Sequence, residues 1–281
     1  MGFVCTLASG SGGNAALFSH RDTHLLVDMG ITHSRLTDQL RPLGLSPRDL
    51  SAVAVTHVHG DHVSGLPVLC RRAGAGEGTP SPLILTARET ALALYAGHAG
   101  LKRFLRVHQG AFWIGDILVE PFATPHDAAG SVGYLLHMGG FRAAVATDMG
   151  HVPQEALTRI SQAHYLLLEA NHDVDLLRYG PYPAGLKRRI LGPTGHLSND
   201  DCAKTALHCV RRGTRRVTLC HLSEDNNSPD LALGTVAHAL TEGGCGGFIL
   251  DAAPRFETGA PEFFEDGPAA QSAGGLAGAS C

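Results

Sequence analysis

His57, His59, Asp61 and His62 form the run HVHGDH, which sets three imidazoles and one carboxylate close together. The residues before it, AVAVT (52–56), are apolar and partly β-branched and read as a short buried strand. In an extended stretch, residues i and i+2 point to one side, so His57 and His59 can converge on one ion. Gly60 then turns the chain and places Asp61 and His62 toward a neighbouring position. Imidazole nitrogen and carboxylate oxygen suit zinc, manganese or iron, and the absence of cysteine argues against a closed structural zinc site.

One such run cannot complete two coordination shells, so further ligands must stand at other strand ends. Three residues fit. His126 follows ILVEPFAT (117–124), Asp148 ends FRAAVATD, and His221 ends RRVTLCH. Each lies at the C-terminal end of a strand-like run, where α/β proteins place their ligands. A pair of divalent ions about 3.5–4 Å apart lowers the pKa of a bound water, holds it as hydroxide and neutralises charge on the attacked group. That equipment is hydrolytic. SGSGGN (9–14) lies between two strand-like runs and opens no helix, so it fails the context test for a dinucleotide fingerprint. Ser9 and Ser11 have no local base motif that would make either a nucleophile.

The elements that must position these residues follow from apolar patterning. Strands are expected at 3–8, 15–18, 23–28, 83–86, 131–138, 141–148, 164–170, 217–221 and 247–252, besides the two already named. Helices are expected at 34–43, 63–73, 88–98, 153–160, 199–209 and 232–240, with AGAGEGTPSP as a loop. Clustered strands separated by helices indicate an α/β domain of stacked layers, and element order alone does not choose among such folds.

Composition narrows the class. A chain of 281 residues, 44% apolar and 17% charged, can bury a core without disulfides and is neither fibrous nor wholly disordered. No segment reads as membrane-spanning or as a secretory leader, and seven cysteines without a C-x-x-C pair fit a reducing compartment. A cytoplasmic protein is expected. Neither an obligate protein partner nor an oligomeric state can be inferred. The formal charge is −4, yet residues 178–216 hold nine basic residues and only Asp200 and Asp201 as acids, a stretch that can attract phosphate. Arg188 and Arg189 lie within it, and Tyr179 and Tyr182 offer rings for base stacking. From Arg255 onward Gly, Ala, Pro, Ser and acid dominate, so the domain is expected to span 1–254 and residues 255–281 to be a disordered tail.

Beyond the metal run, SGSGGN (9–14), VDMGI (27–31), THVHGDHVSG (56–65), PHDAAGSVGY (125–134), ATDMGHV (146–152), LLLEANHD (166–173), YGPYP (179–183), GHLSND (195–200) and CHLSEDNNSP (220–229) stand out. With them the chain resembles the metallo-β-lactamase superfamily and, more narrowly, its YycJ/WalJ-like hydrolases, a group associated with 5′-to-3′ exonuclease activity. The resemblance implies a four-layer αβ/βα sandwich with a dinuclear site at one edge. It puts one metal on His57, His59 and His126 and the other on Asp61, His62 and His221, bridged by Asp148, with zinc the first choice of ion and manganese or iron compatible. Asp28 would support the metal loop from behind. Glu169, Asn171, His172 and Asp173, with His196, Ser198 and Asn199, would line the cleft or support the ligands.

The expected reaction is phosphodiester hydrolysis on DNA, with Asp61 or Asp148 orienting the hydroxide and His196 or His172 donating a proton to the leaving oxygen. The alternative is a small-molecule hydrolase acting on a thioester, lactone or cyclic phosphodiester, because a metal-bound hydroxide also attacks carbonyls. A noncatalytic scaffold would need an eroded ligand set, and all seven ligands are present.

Overall fold

The apolar runs of the first half of the chain form β1 (Gly2–Ala8), β2 (Ala15–His20), β3 (Thr23–Val27), β4 (Ala52–Ala54), β5 (Leu83–Thr86) and β6 (Leu105–Val107). Those of the second half form β7 (Phe112–Ile114), β8 (Ile117–Ala123), β9 (Val132–Met138), β10 (Phe141–Ala146), β11 (Tyr165–Glu169), β12 (Arg216–Cys220) and β13 (Ile249–Ala252). A last strand, β14 (Glu262–Phe264), returns to the first set. These strands make two seven-stranded sheets, ordered β14-β1-β2-β3-β4-β5-β6 and β13-β12-β11-β10-β9-β8-β7. The structure, a computed structural model, describes residues 1–73 and 82–266. Most of the expected AGAGEGTPSP loop lies outside the described residues.

Side-chain alternation explains the layering. In β10, Ala143 and Val145 face the sister sheet while Ala144 and Ala146 face outward. The neighbouring strand repeats this, with Tyr165 and Leu167 inward and Leu166 and Leu168 outward. Each outward face must be covered. On the first sheet the cover is α1 (His33–Leu40), α2 (Gly60–Val63), α3 (Leu66–Ala73) and α4 (Arg88–Gly97), with Leu36, Leu40, Leu66, Leu69 and Leu94 in one apolar cluster. On the second it is α5 (Gln154–Ile160), α8 (Asn199–Val210) and α9 (Pro229–Glu242), with Ile160, Cys202, Ala206, Val236 and Leu240 buried against the strands, while α6 (Val174–Tyr179) and α7 (Ala184–Ile190) fall between β11 and α8. The four-layer αβ/βα sandwich expected from the sequence is the fold observed. No described helix is long and apolar enough to cross a membrane.

Each sheet joins an antiparallel half to a parallel half, and β8 and β10 run the same way because each is antiparallel to β9. The C-terminal ends of β3, β4, β8, β10, β11 and β12 therefore meet at one edge of the sandwich. Asp28, Asp148 and His221, each just past a strand at that edge, have φ of 62°, 57° and 55°. Non-glycine residues adopt this left-handed conformation rarely, and it persists only where the surroundings fix it.

The expected domain boundary at Pro254 is corrected by the structure. β14 pairs antiparallel with β1, matching Gly2 with Phe264 and Val4 with Glu262. Phe264 is buried and its ring stacks on Phe141 at 4.1 Å, and Asp266 pairs with His20 at 2.5 Å. The domain thus extends at least to Asp266, and residues 267–281 of the expected tail lie outside the described residues. Truncation after Pro254 is therefore expected to destabilise the fold. Phe264→Ala alone should cost about 3–5 kcal/mol and lower the thermal transition by roughly 6–20 °C. An unchanged transition in both variants would show that this edge strand contributes nothing.

Candidate metal centre

The loop after β4 carries the metal run, and backbone contacts hold it in place. Thr56 N and Oγ1 both donate to Asp28, each at 2.8 Å. Met29 N donates to His62 O at 2.8 Å, and Asn14 N to Asp61 O at 2.7 Å. A Cβ at Gly30 would sit 1.6 Å from the Asp61 carbonyl oxygen, so the sequence needs glycine where the loop after β3 passes beneath the metal run.

Three ring nitrogens converge first. His57 Nε2 and His126 Nε2 each lie 3.1 Å from His59 Nδ1. The far nitrogens of two of these rings are already engaged: His57 Nδ1 donates to Thr56 Oγ1 at 3.0 Å, and His126 Nδ1 to Gly195 O at 3.2 Å. Their Nε2 atoms are left as acceptors. Beside this trio, Asp61 Oδ2 lies 3.4 Å from His62 Nε2 and 3.3 Å from His221 Nε2. His62 Nδ1 donates to Asp28 Oδ2 at 2.7 Å, and His221 Nδ1 to Glu169 Oε1 at 2.9 Å. Asp148 stands between the groups, with Oδ2 3.2 Å from His62 Nε2 and Oδ1 3.6 Å from His126 Nε2.

Such an arrangement fits divalent cations. A ring proton on His59 Nδ1 can serve one of the two facing acceptors, whereas a cation serves all three nitrogens. Among the described residues the buried Asp148 Oδ2 makes no well-directed hydrogen bond, although His62 Nε2 lies 3.2 Å away, and a metal would satisfy it. The trio His57, His59 and His126 and the trio Asp61, His62 and His221 each bring their ligand atoms within 4.8 Å of one another. Carboxylates and carbonyls behind the imidazoles fix their tautomers and raise their basicity.

The charges are arranged accordingly. Burial and the surrounding imidazoles push His57 down to about 2. Burial opposes ionisation of Asp148, but His221, His62 and His57 around it hold its carboxyl well below the usual range. His62 and His221 are also buried, yet the Asp148 charge raises both well above an ordinary imidazole. The centre opens to solvent on one side, where the side chains of His59, Asp61 and His196 are 33%, 24% and 18% exposed.

Residues 8–221 match the model of the metallo-beta-lactamase superfamily. The chain belongs to that superfamily. Exodeoxyribonuclease WalJ of Streptococcus pneumoniae is 34% identical over 244 residues, covering 85% of this chain and 88% of that protein. Exodeoxyribonuclease YycJ of Bacillus anthracis is 35% identical over 244 residues, covering 85% and 89%. Within the superfamily the chain is thus of the YycJ/WalJ-like kind, and it is a metal-dependent hydrolase. The crystal structure of unliganded yeast PDE1 matches with a TM-score of 0.69 over 91% of this chain and 98% of that one, at 14% identity, a likeness of fold alone.

The residues expected around this metallo-β-lactamase centre divide by position. Glu169 is fully buried beneath it, with Oε1 accepting from both His196 Nδ1 (2.8 Å) and His221 Nδ1. Asn171 Nδ2 donates to His221 O at 2.9 Å and so braces that strained residue. His172 is buried, neither ring nitrogen has a partner among the described residues, and burial lowers it to about 4, which argues against the expected proton-donor role. Asp173 and Ser198 are helix caps, accepting from Leu176 N and Asp201 N, and Asn199 exchanges amide hydrogen bonds with Asn227.

The basic stretch divides too. Arg189 pairs with Asp127, whose Oδ1 lies 3.5 Å from both His59 and His126, and Arg188 is exposed on the same helix. Lys187 is occupied by the carbonyls of Arg178 and Gly180. Arg211, Arg212, Arg215 and Arg216 do not belong to the centre. Arg211, Arg212 and Arg215 precede β12 and Arg216 opens it, at the end opposite to the one that leads into His221, and Arg216 pairs with Asp251. Tyr179 is 85% exposed, while Tyr182 Oη donates to Asp225, tying YGPYP to the loop after His221.

Sequence reasoning missed three supports. Asn14 Nδ2 reaches Asp61 Oδ2 at 3.2 Å and His62 Nε2 at 3.0 Å, and its Oδ1 accepts from Gly10 N. Ser9 Oγ accepts from His221 N at 2.7 Å, so Ser9 positions a ligand. Asp127 joins Arg189 to the histidines. The signal for Asn14 and Ser9 lay in SGSGGN, whose polar ends flank a glycine turn at a strand edge.

Proposed function

We propose that the chain is a dinuclear-metal-dependent phosphodiester hydrolase that acts on DNA as a 5′-to-3′ exonuclease. The observation carrying this reading is the pair of ligand trios on either side of Asp148, in a chain whose relatives are named exodeoxyribonucleases. His57, His59 and His126 would hold one ion and Asp61, His62 and His221 the other, with Asp148 shared. This nitrogen-rich set takes zinc first, with manganese and iron compatible. Bound there, two divalent ions supply Lewis acidity and lower the pKa of water.

The chain's own groups account for the rest. His196 holds its proton: burial opposes that, but the Glu169 carboxylate raises it above an ordinary imidazole. On the open side of the centre it can give that proton to the departing oxygen. Asp61 and Asp148 stay ionised and orient what attacks. Arg189, braced on Asp127, and Arg188 bring positive charge to the rim for the phosphate backbone. A cytoplasmic location agrees with the free thiols of the described cysteines.

The test is a substrate panel given to metal-reconstituted protein: 5′-phosphorylated and 5′-hydroxyl DNA, a thioester, a lactone and a cyclic phosphodiester. Shortening of DNA from its 5′ end supports the reading. Intact DNA beside rapid opening of the thioester or lactone would replace it with the small-molecule hydrolase. In the same assay, Arg188→Ala with Arg189→Ala should weaken DNA binding and reduce the log-log salt slope by up to about one unit per lost phosphate contact. Wild-type affinity and slope in that variant would remove the two arginines from the backbone track.

A further inference from the structure

Between β13 and β14 the chain crosses the rim of the metal edge and presents Phe256, 63% exposed. A single exposed aromatic is ordinary on a protein surface, but this one is braced on several sides. Gln39 Nε2, from a buried side chain, donates to Phe256 O at 3.2 Å. Arg35 Nη2 donates to Arg255 O at 2.7 Å, and the Arg35 guanidinium carbon lies 5.3 Å from the centroid of the Phe256 ring. Arg255 in turn donates to Leu222 O at 3.2 Å and pairs with Glu224, both just past the ligand His221.

The ring's position relates it to the chemistry. A Cβ built on Gly12 would lie 3.8 Å from Phe256 Cε1, so the ring rests against the tip of the SGSGGN turn. The ends of that turn hold the centre, Ser9 through His221 N and Asn14 through Asp61 and His62. Phe256 therefore stands beside the ligand loops, with a cation near its ring and much of its surface open to solvent. Arg35 bonds a carbonyl there, so its charge also remains to attract phosphate.

We infer that Phe256, carried on Arg35, is a stacking platform for a nucleobase of the strand whose phosphate lies at the metal centre. This inference rests on the nuclease reading and adds to it a base subsite indifferent to sequence, because every base offers a π-face. The segment bearing Phe256 is then part of the substrate cleft.

The experiment compares wild type, Phe256→Ala and Phe256→Trp as metal-loaded enzymes. Their substrates are a 5′-phosphorylated single strand and the same strand with abasic sites near its 5′ end. Phe256→Ala should raise KM on the normal strand about 5- to 100-fold with a smaller change in kcat, and should barely alter KM on the abasic strand. Phe256→Trp should restore KM. In a Trp113→Phe background, its indole fluorescence should be quenched by a phosphorothioate-protected strand and little affected by the abasic one. Equal KM values for wild type and Phe256→Ala on the normal strand, or equal losses on both strands, would overturn the platform while leaving the nuclease standing. A wild-type enzyme that leaves all DNA intact would overturn both.

Discussion

Asp148→Ala is expected to lower DNA hydrolysis by about a hundred- to a thousandfold, the scale on which loss of one transition-state-stabilising group is felt. It should also reduce the bound metal below two ions per chain, while His59→Ala removes a ligand from one trio alone. The reason is position: the Asp148 carboxylate is the group placed between the trios, with one oxygen toward His62 and the other toward His126. Its charge also acts through pH. In the metal-free protein His62 and His221 hold protons well above the ordinary imidazole range, so an incoming cation must displace them. Apparent metal affinity should accordingly rise with pH and fall as acid restores those protons. Elemental analysis after desalting, alongside rates at saturating metal, checks this. Full metal loading and wild-type turnover in Asp148→Ala would defeat the bridging role.

Glu169→Gln should have the next largest effect. The native carboxylate accepts four hydrogen bonds, from His196, His221, Met149 N (3.1 Å) and Leu197 N (3.2 Å). An amide turns one accepting oxygen into a donor and leaves at least one of those groups opposed. Metal affinity should weaken by about 10- to 100-fold, as when partners behind ligating histidines are lost. The pH profile carries the finer information. A proton donor must be protonated, so activity should fall as pH rises through the His196 pKa, which Glu169 holds above the ordinary imidazole value. Glu169→Gln removes that support, so the alkaline limb should move to lower pH. An unmoved limb would mean that His196 is not the donor.

Eleven of the strands, β1 to β5 and β8 to β13, and the candidate metal ligands were legible in the sequence for local reasons, whereas the three-residue β6 and β7 are too short to carry a pattern. Alternation along residues 141–146 and 165–168 follows from the pleat, and the i, i+2 spacing of His57 and His59 needs only the strand before them. What was hidden depends on contacts distant in sequence. Residues 255–266 have the composition of a tail, yet β14 completes a sheet begun by residues 2–8, and no local pattern reports such a pairing. Nearness in sequence misled in the basic stretch, because α8, about 18 Å long at 1.5 Å per residue, carries Arg211 and Arg212 away from the metal edge. Asp173 and Ser198 lay inside motifs at the cleft, but helix starts claimed their side chains. Asn14 and Ser9 act only because a turn distant in sequence from the other ligand loops folds against them.

The most direct test of a dinuclear nuclease is a metal titration in which bound ions per chain and release from the 5′ end of a phosphorylated DNA strand are read from the same samples. The expected result is that hydrolysis rises as loading passes from one ion to two and levels off there. Full activity at one ion per chain, or intact DNA at two, would contradict it.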